Sequence, residues 1–217
     1  MNTLAEENYL KSIYHLSYNS INVSTNQIAA LLNTKAASVT DMLKKLADKE
    51  LINYTRYQGV SLTPTGENVA IHIIRKHRLW EYFLVEKLHF KWDEVHEMAE
   101  EMEHISSKEL IDRLDKFMGY PKHDPHGDPI PDSDGHFKAH ELKPISSFSV
   151  NQTGIISGVR DHTAAFLQYL EKQQLTIGKK IKVTEVIDYD SSMIIQVENK
   201  GITISREVAD NLLIAHG

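Results

Sequence analysis

Five of the six prolines fall between Pro121 and Pro144, and they divide the chain into two stretches with different hydrophobic periods. Before them apolar residues recur at helical spacing; after them they alternate. Thr3-x-x-Glu6 is a capping box that opens a helix with Tyr9, Ile13 and Leu16 on one face. Ser24-x-x-Gln27 is a second, opening a short helix from Thr25 to Leu32. After a break at Asn33-Thr34, a longer helix is expected from Ala36 to Lys49, with Val39, Met42, Leu43 and Leu46 inward. Short helix, brief turn, longer helix is the helix-turn-helix pattern. Leu51 to Tyr54 and Val60 to Thr63 read as strands around Arg56-Tyr57-Gln58-Gly59, which makes the unit a winged helix.

Such a unit reads duplex DNA through its second helix. Lys35, Ala37, Ser38, Thr40, Asp41 and Lys44 lie on the outward face of that helix, where small and hydroxylated residues allow close approach to base edges. Arg56, Tyr57 and Gln58 form a basic, aromatic tip suited to phosphate or minor-groove contact. The formal net charge of −6 argues against nucleic acid only if it is spread evenly. It is not: Asp93, Glu94, Glu97, Glu100, Glu101 and Glu103 crowd into eleven residues, while residues 1–75 are about neutral.

Thr63-Pro64 starts a long helix running to about Leu88, whose later half is apolar on more than one side, as a dimer interface would be. The acidic stretch follows. On one helix, His96, Glu100, Glu103 and His104 share an arc of roughly 100°, while Val95, Met98, Ala99, Met102 and Ile105 form a separate packing stripe. His77 and Glu81 stand at an i, i+4 offset on the preceding helix. A solvated surface can also be rich in Glu and His, but like charges at these spacings cost a few tenths of a kcal/mol per pair, and a divalent cation would offset that. Eight of the twelve histidines lie between His77 and His140. There are no cysteines, so any metal must be held by nitrogen and oxygen, and disulfides are excluded.

Ser106-x-x-Glu109 opens a further helix that stops at Gly119-Tyr120-Pro121. The proline-rich stretch then reads as a partly extended linker, and His123, His126, His136 and His140 as loop histidines without fixed partners. Strands are expected at 148–150, 153–156, 181–186, 193–197 and 201–204, with one helix from Thr163 to Gln173, together a small β-barrel. No segment is long and apolar enough for a membrane span and no leader is evident, so the cytoplasm is the expected location.

Six pieces in order resemble the diphtheria toxin repressor family of metal-dependent transcriptional regulators, over nearly the whole chain. They are Glu7-Asn8-Tyr9-Leu10-Lys11-Ser12-Ile13-Tyr14, Leu62-Thr63-Pro64-Thr65-Gly66, Arg75-Lys76-His77-Arg78-Leu79, Val95-His96, Met102-Glu103-His104 and Pro125-His126-Gly127-Asp128-Pro129-Ile130-Pro131. The resemblance implies a multidomain α plus β homodimer. Its parts would be a winged-helix DNA-binding domain (1–73), a helical dimerisation and metal-binding domain (74–120), a proline-rich linker (121–147) and an SH3-like, FeoA-like β-barrel (148–217). It further implies two metal sites, one of Asn8, Glu100, Glu103 and His104, the other of His77, Glu81 and His96 with a contribution near Asp161 and His162. Glu100 replaces the cysteine of the iron-sensing branch, and Asn8 stands where Asp or Met is usual. The manganese branch can add a carboxylate where this chain has Lys11, which disfavours a close two-metal cluster.

The expectation is a repressor activated by Mn²⁺, then Fe²⁺, with Zn²⁺ and Co²⁺ also bound in vitro, whose partners are palindromic operator DNA and a second copy of itself, with no membrane and no small-molecule substrate. A winged-helix regulator answering to an organic effector would leave the His/Glu stripe structural. A carboxylate-bridged di-metal enzyme would use Glu101-x-x-His104, but it needs that pattern on two helices, and no acid/base pair stands out, so the chain is not expected to be an enzyme.

Overall fold

The computed structural model describes residues 2–17, 22–55, 58–137 and 142–216. Arg56 and Tyr57 at the expected wing tip, and His140, lie outside them. The chain divides into two compact units: Met1–His77 with Glu101–Asp112 and Pro131–His136, and Arg78–Glu100 with Arg113–Ile130 and Phe137–Gly217.

In the first unit α1 (Leu4–Ser17), α2 (Thr25–Leu31), α3 (Ala36–Asp48), β1 (Ile52–Thr55) and β2 (Gly59–Leu62) form the expected winged helix. Both capping boxes are present: Thr3 N donates to Glu6 Oε2 at 2.8 Å, and the Ser24 and Gln27 side chains exchange bonds with each other's backbone. Asn33 makes the α2–α3 turn in the left-handed region, φ 46°, which asparagine tolerates better than most residues. β1 and β2 pair antiparallel, and Val23 bonds Val60 in both directions at 2.9 Å, tying the wing to the segment before α2. Leu10, Ile13, Val23, Ile28, Val39, Leu43 and Leu46 are fully buried in one core. Met42, expected inward, is only partly buried.

Thr63 caps α4 (Pro64–Leu88): its hydroxyl donates to Glu50 O and accepts from Gly66 N. Gly66 is required by contact, since a Cβ there would lie 1.9 Å from Leu51 O. α5 (His96–Met102) and α6 (Lys108–Phe117) follow. α6 is capped one residue later than its sequence suggests, by Ser107, whose hydroxyl accepts from Leu110 N.

The SH3-like domain belongs to the second unit. β3 (Lys143–Pro144), β4 (Thr153–Val159), β5 (Lys180–Val186), β6 (Met193–Val197), β7 (Lys200–Ile204) and β8 (Leu212–His216) pair in the order β3-β8-β4-β5-β6-β7, every pair antiparallel. The ladder runs open rather than closing on itself, and bulges at Ile156/Gly158 and Val183/Glu185 interrupt its register. α7 (Ala164–Gln173) and α8 (Arg206–Asn211) complete the domain, and Ile156, Leu167, Leu170, Val183, Ile195, Ile204, Leu212 and Ile214 fill its core. Residues 148–150, expected as a strand, form none: they lead from a short helical turn into a turn at Val150, which is exposed. No helix among the described residues is long and apolar enough to cross a membrane.

Candidate metal centre

Two acid–imidazole clusters form, one in each unit. The expected ligand stripe does not stay on one helix: α5 ends at Met102, and Ile105 N bonds Met102 O, so Glu103 and His104 occupy the turn beyond it. That turn drives Glu103 inward to full burial, which continued helix would not require.

In the first unit, Glu103 Oε2 lies 2.7 Å from His77 Nδ1, and both Glu103 oxygens accept from Lys11 Nζ, at 2.7 and 2.8 Å. His104 Nδ1 meets Glu7 Oε2 at 2.7 Å and its Nε2 stands 3.8 Å from Glu103 Oε1. If His104 donates its Nδ1 proton to Glu7, the lone pair is on Nε2, the arrangement in which a carboxylate orients a ligating imidazole. The sequence reading missed Glu7, although it stands beside Asn8 and one turn before Lys11. Asn8 Oδ1 is buried without a hydrogen-bond partner, a cost of about 1–3 kcal/mol. Burial lowers the pKa of Lys76, against which the charges of Glu7 and Glu103 act.

In the second unit, Glu81 is almost fully buried and faces two imidazoles: His96 Nδ1 at 3.3 Å from Oε1, and His126 Nδ1 at 3.4 Å from Oε2. His96 Nε2 is 3.8 Å from Glu100 Oε1. Glu81, Asp124 and His126 each offer a ligand atom within 4.8 Å of the others, and all three are buried. This corrects the reading of His126 as a loop histidine without a fixed partner. His126 is fully buried, its Nε2 meets Trp92 O at 2.8 Å, and its ring lies between Trp92 and His162, stacked 4.7 Å from the latter. Its Nδ1 makes no hydrogen bond, the Glu81 contact being at ion-pair distance only. The loop is tightly organised: Asp124 Oδ1 accepts from His126 N and Asp128 N, and His126 O accepts from Val159 N. Arg78 donates to Pro129 O and Asp128 Oδ2 and lies 3.7 Å from Asp124.

Burial opposes charge on His126, but Glu81 and then Asp124 outweigh it and push its pKa up to about 9. Burial, then Asp128 and Glu81, raise Asp124 to about 7. Burial lowers His162, which sits 4.0 Å from Asp128. Of the two residues expected near this cluster, His162 stacks on it, whereas Asp161 Oδ1 accepts from Thr163 N at the start of α7. A third group, Asp132, Asp134 and His136, is exposed; Asp132 Oδ1 accepts from the Asp134 and His136 amides in a turn.

Of the residues expected to face DNA, Lys35 precedes α3, Ala37, Ser38, Asp41 and Lys44 are exposed on it, and Gln58 is exposed in the wing. Thr40 is half-buried, its hydroxyl donating to Ala36 O. Lys44 and Asp41 pair at 3.2 Å, both well exposed, so the pair is worth little and can open to a phosphate.

Residues 1–60 match the iron dependent repressor N-terminal DNA binding domain, residues 63–132 the iron dependent repressor metal binding and dimerisation domain, and residues 143–216 the FeoA domain. The iron-dependent repressor IdeR of Mycobacterium tuberculosis is 33% identical over 133 residues, 60% of this chain and 58% of that protein. The chain's match therefore spans little more than half of the length of that relative. Among solved structures, a manganese-dependent transcriptional repressor in complex with manganese superposes with a TM-score of 0.88 at 28% identity, covering 98% of this chain and 100% of the other. The manganese regulator SloR gives 0.78 at 32% identity, covering 98% of each.

Proposed function

Since the chain belongs to the iron dependent repressor family, that of the diphtheria toxin repressor, we propose that it is a metal-dependent transcriptional repressor in which cation binding sets the posture of the winged helix. The observation that carries this reading is a pair of buried acid–imidazole clusters, the first of which includes Asn8 Oδ1, a buried amide oxygen with no hydrogen bond. An orphaned buried acceptor fits a cation better than it fits a purely structural role.

Asn8, Glu103 and His104, with His77, are the ligands we assign in the first unit; Glu81, His96, Glu100, Asp124 and His126 are those of the second. A bound divalent cation supplies the positive charge these groups would share. Asn8 and Glu7 lie on α1, whose Tyr9, Leu10 and Ile13 pack in the core that also holds Val39, Leu43 and Leu46 of α3. A ligand set that includes Asn8 thus fixes α1, and α1 fixes the helix that reads DNA. Ion and operator then favour one arrangement, and each must tighten the other by the same factor. Oxygen-rich ligands without thiolate suit Mn²⁺ first and Fe²⁺ next, with Zn²⁺ and Co²⁺ bound in vitro. Leu88, Phe90, Phe117 and Tyr120 are exposed in the second unit and provide an apolar face for a second copy. A dimer reads a palindromic operator with half-sites about one helical turn apart.

Fluorescence anisotropy with a labelled palindromic operator tests this. Operator affinity falls about 10- to 100-fold on chelation and returns with Mn²⁺; equal affinity in both states refutes metal control.

The pKa shifts give a second expectation. Ligation at His126 requires removal of a proton held up to about pH 9, and at Asp124 one held to about 7. Mn²⁺ affinity at this cluster therefore rises as pH is raised from 6 to 9, by up to about tenfold per unit where one proton is displaced. Both raised pKa values also mean that the ion-free fold binds protons more tightly than the unfolded chain. The stabilisation from His126 is complete below about 6.5 and is lost as pH rises through about 9. Melting temperatures of chelated protein should fall across that window, and Mn²⁺ should reverse the fall. Calorimetric isotherms that are flat with pH would exclude His126 as a ligand.

A further inference from the structure

Lys11 reaches from α1 to Glu103, 92 residues away, with Nζ 2.7 and 2.8 Å from the two carboxylate oxygens. The Lys11 side chain is only 12% exposed and that of Glu103 is fully buried, so the pair is screened little by solvent. We propose that Lys11 is a built-in cation that holds Glu103 in the ion-free protein, and that a divalent ion must take this carboxylate from Lys11, so that Lys11 sets the ion concentration at which the protein responds. The inference rests on reading the first-unit cluster as a cation site.

Two observations support competition rather than sharing. Lys11 engages both Glu103 oxygens and His77 engages Oε2 as well, so most of the carboxylate's lone-pair directions are taken. The Glu103 charge is also already met: the Lys11 ammonium and His77 Nδ1 each lie 2.7 Å from it. A doubly charged ion added beside Glu103 would sit close to Lys11 in a water-poor space, where like charges repel strongly. The cheapest relief is for Lys11 to leave. Its flexible four-carbon stem permits that without unfolding α1.

Calorimetry with Mn²⁺ on wild type, Lys11→Met and Lys11→Arg tests the proposal, together with acetic anhydride labelling of wild-type lysines read by mass spectrometry. Lys11→Met is expected to bind Mn²⁺ about tenfold more tightly than wild type, the value of one charge-assisted contact no longer competing, and Lys11→Arg to stay close to wild type. Labelling of Lys11 is expected to rise severalfold with saturating Mn²⁺ while exposed Lys143 is unchanged. If Lys11→Met fails to fold, the labelling of wild type decides. Unchanged or weaker Mn²⁺ binding in Lys11→Met, or Lys11 equally protected with and without Mn²⁺, overturns the proposal while leaving the cation site intact. Absence of Mn²⁺ binding in wild type overturns the cation site itself and the proposal with it.

Discussion

Glu103→Ala is expected to make operator binding indifferent to Mn²⁺ and to destabilise the ion-free protein by about 3 kcal/mol or more. Two arguments converge on this residue. As a ligand it is the fully buried carboxylate on which Lys11 and His77 converge and which His104 faces. As a structural group it balances charge: its removal takes the carboxylate from an ammonium and an imidazole that are themselves only 12% exposed. The two effects separate by measurement. Urea unfolding of chelated protein reads the lost pair, while anisotropy with and without Mn²⁺ reads the lost ligand. Glu103→Gln keeps the volume and one acceptor oxygen, and should recover much of the stability but little of the Mn²⁺ response. Glu101→Ala, two residues away on an exposed position of α5, should change neither by more than about 0.5 kcal/mol. A Glu103→Ala protein that still needs Mn²⁺ for its operator would remove this cluster from the mechanism.

Local rules made the head legible in the sequence. Thr3-x-x-Glu6, Ser24-x-x-Gln27 and Thr63-Pro64 are caps whose hydrogen bonds form as their spacing requires, because a helix end must satisfy its own amides wherever it lies. Periodicity placed Val39, Leu43 and Leu46 inward and carried α4 to about Leu88, where it ends. It could not reveal that α5 stops at Met102, since Glu103 and His104 continue the helical arc perfectly well. Nothing local marks the end; the turn is held by long-range partners, His77, Lys11 and Glu7. His126 escaped for the same reason. A Pro- and Gly-rich context predicts exposure, but Asp124 organises the loop and Trp92 and His162 enclose the ring. His136 is 83% exposed, as a loop histidine would be, but Asp132 is its partner where none was expected. β8 was missed because Leu212 to His216 follows α8 without a break, so five residues of a short apolar run carry no period of their own. The glycine of the Pro125–Pro131 motif, by contrast, was a visible clue whose meaning only the packing discloses.

That glycine carries the second large effect. Gly127→Ala is expected to cost at least about 3 kcal/mol and to abolish cation binding at the second-unit cluster. Gly127 has φ +90°, and a Cβ there would lie 2.1 Å from Ser157 O and 2.5 Å from Gly158 Cα. Both neighbours are backbone of the bulged β4 strand, so no side chain can swing aside. The loop must instead retreat from the strand, breaking the bond from Val159 N to His126 O and releasing the turn in which Asp124 accepts from His126 N and Asp128 N. His126 Nδ1 and the Asp124 carboxylate then lose their aim at Glu81. Gly119→Ala supplies the comparison: its φ is also positive, +78°, but a Cβ would meet nothing within 4 Å, so only the left-handed backbone cost of about 1–2 kcal/mol applies. Mn²⁺ stoichiometry should fall from two to one per chain in Gly127→Ala and stay at two in Gly119→Ala. Should Gly127→Ala keep both equivalents, the loop would be a support for the sheet alone, and Glu81 would bind its ion without His126.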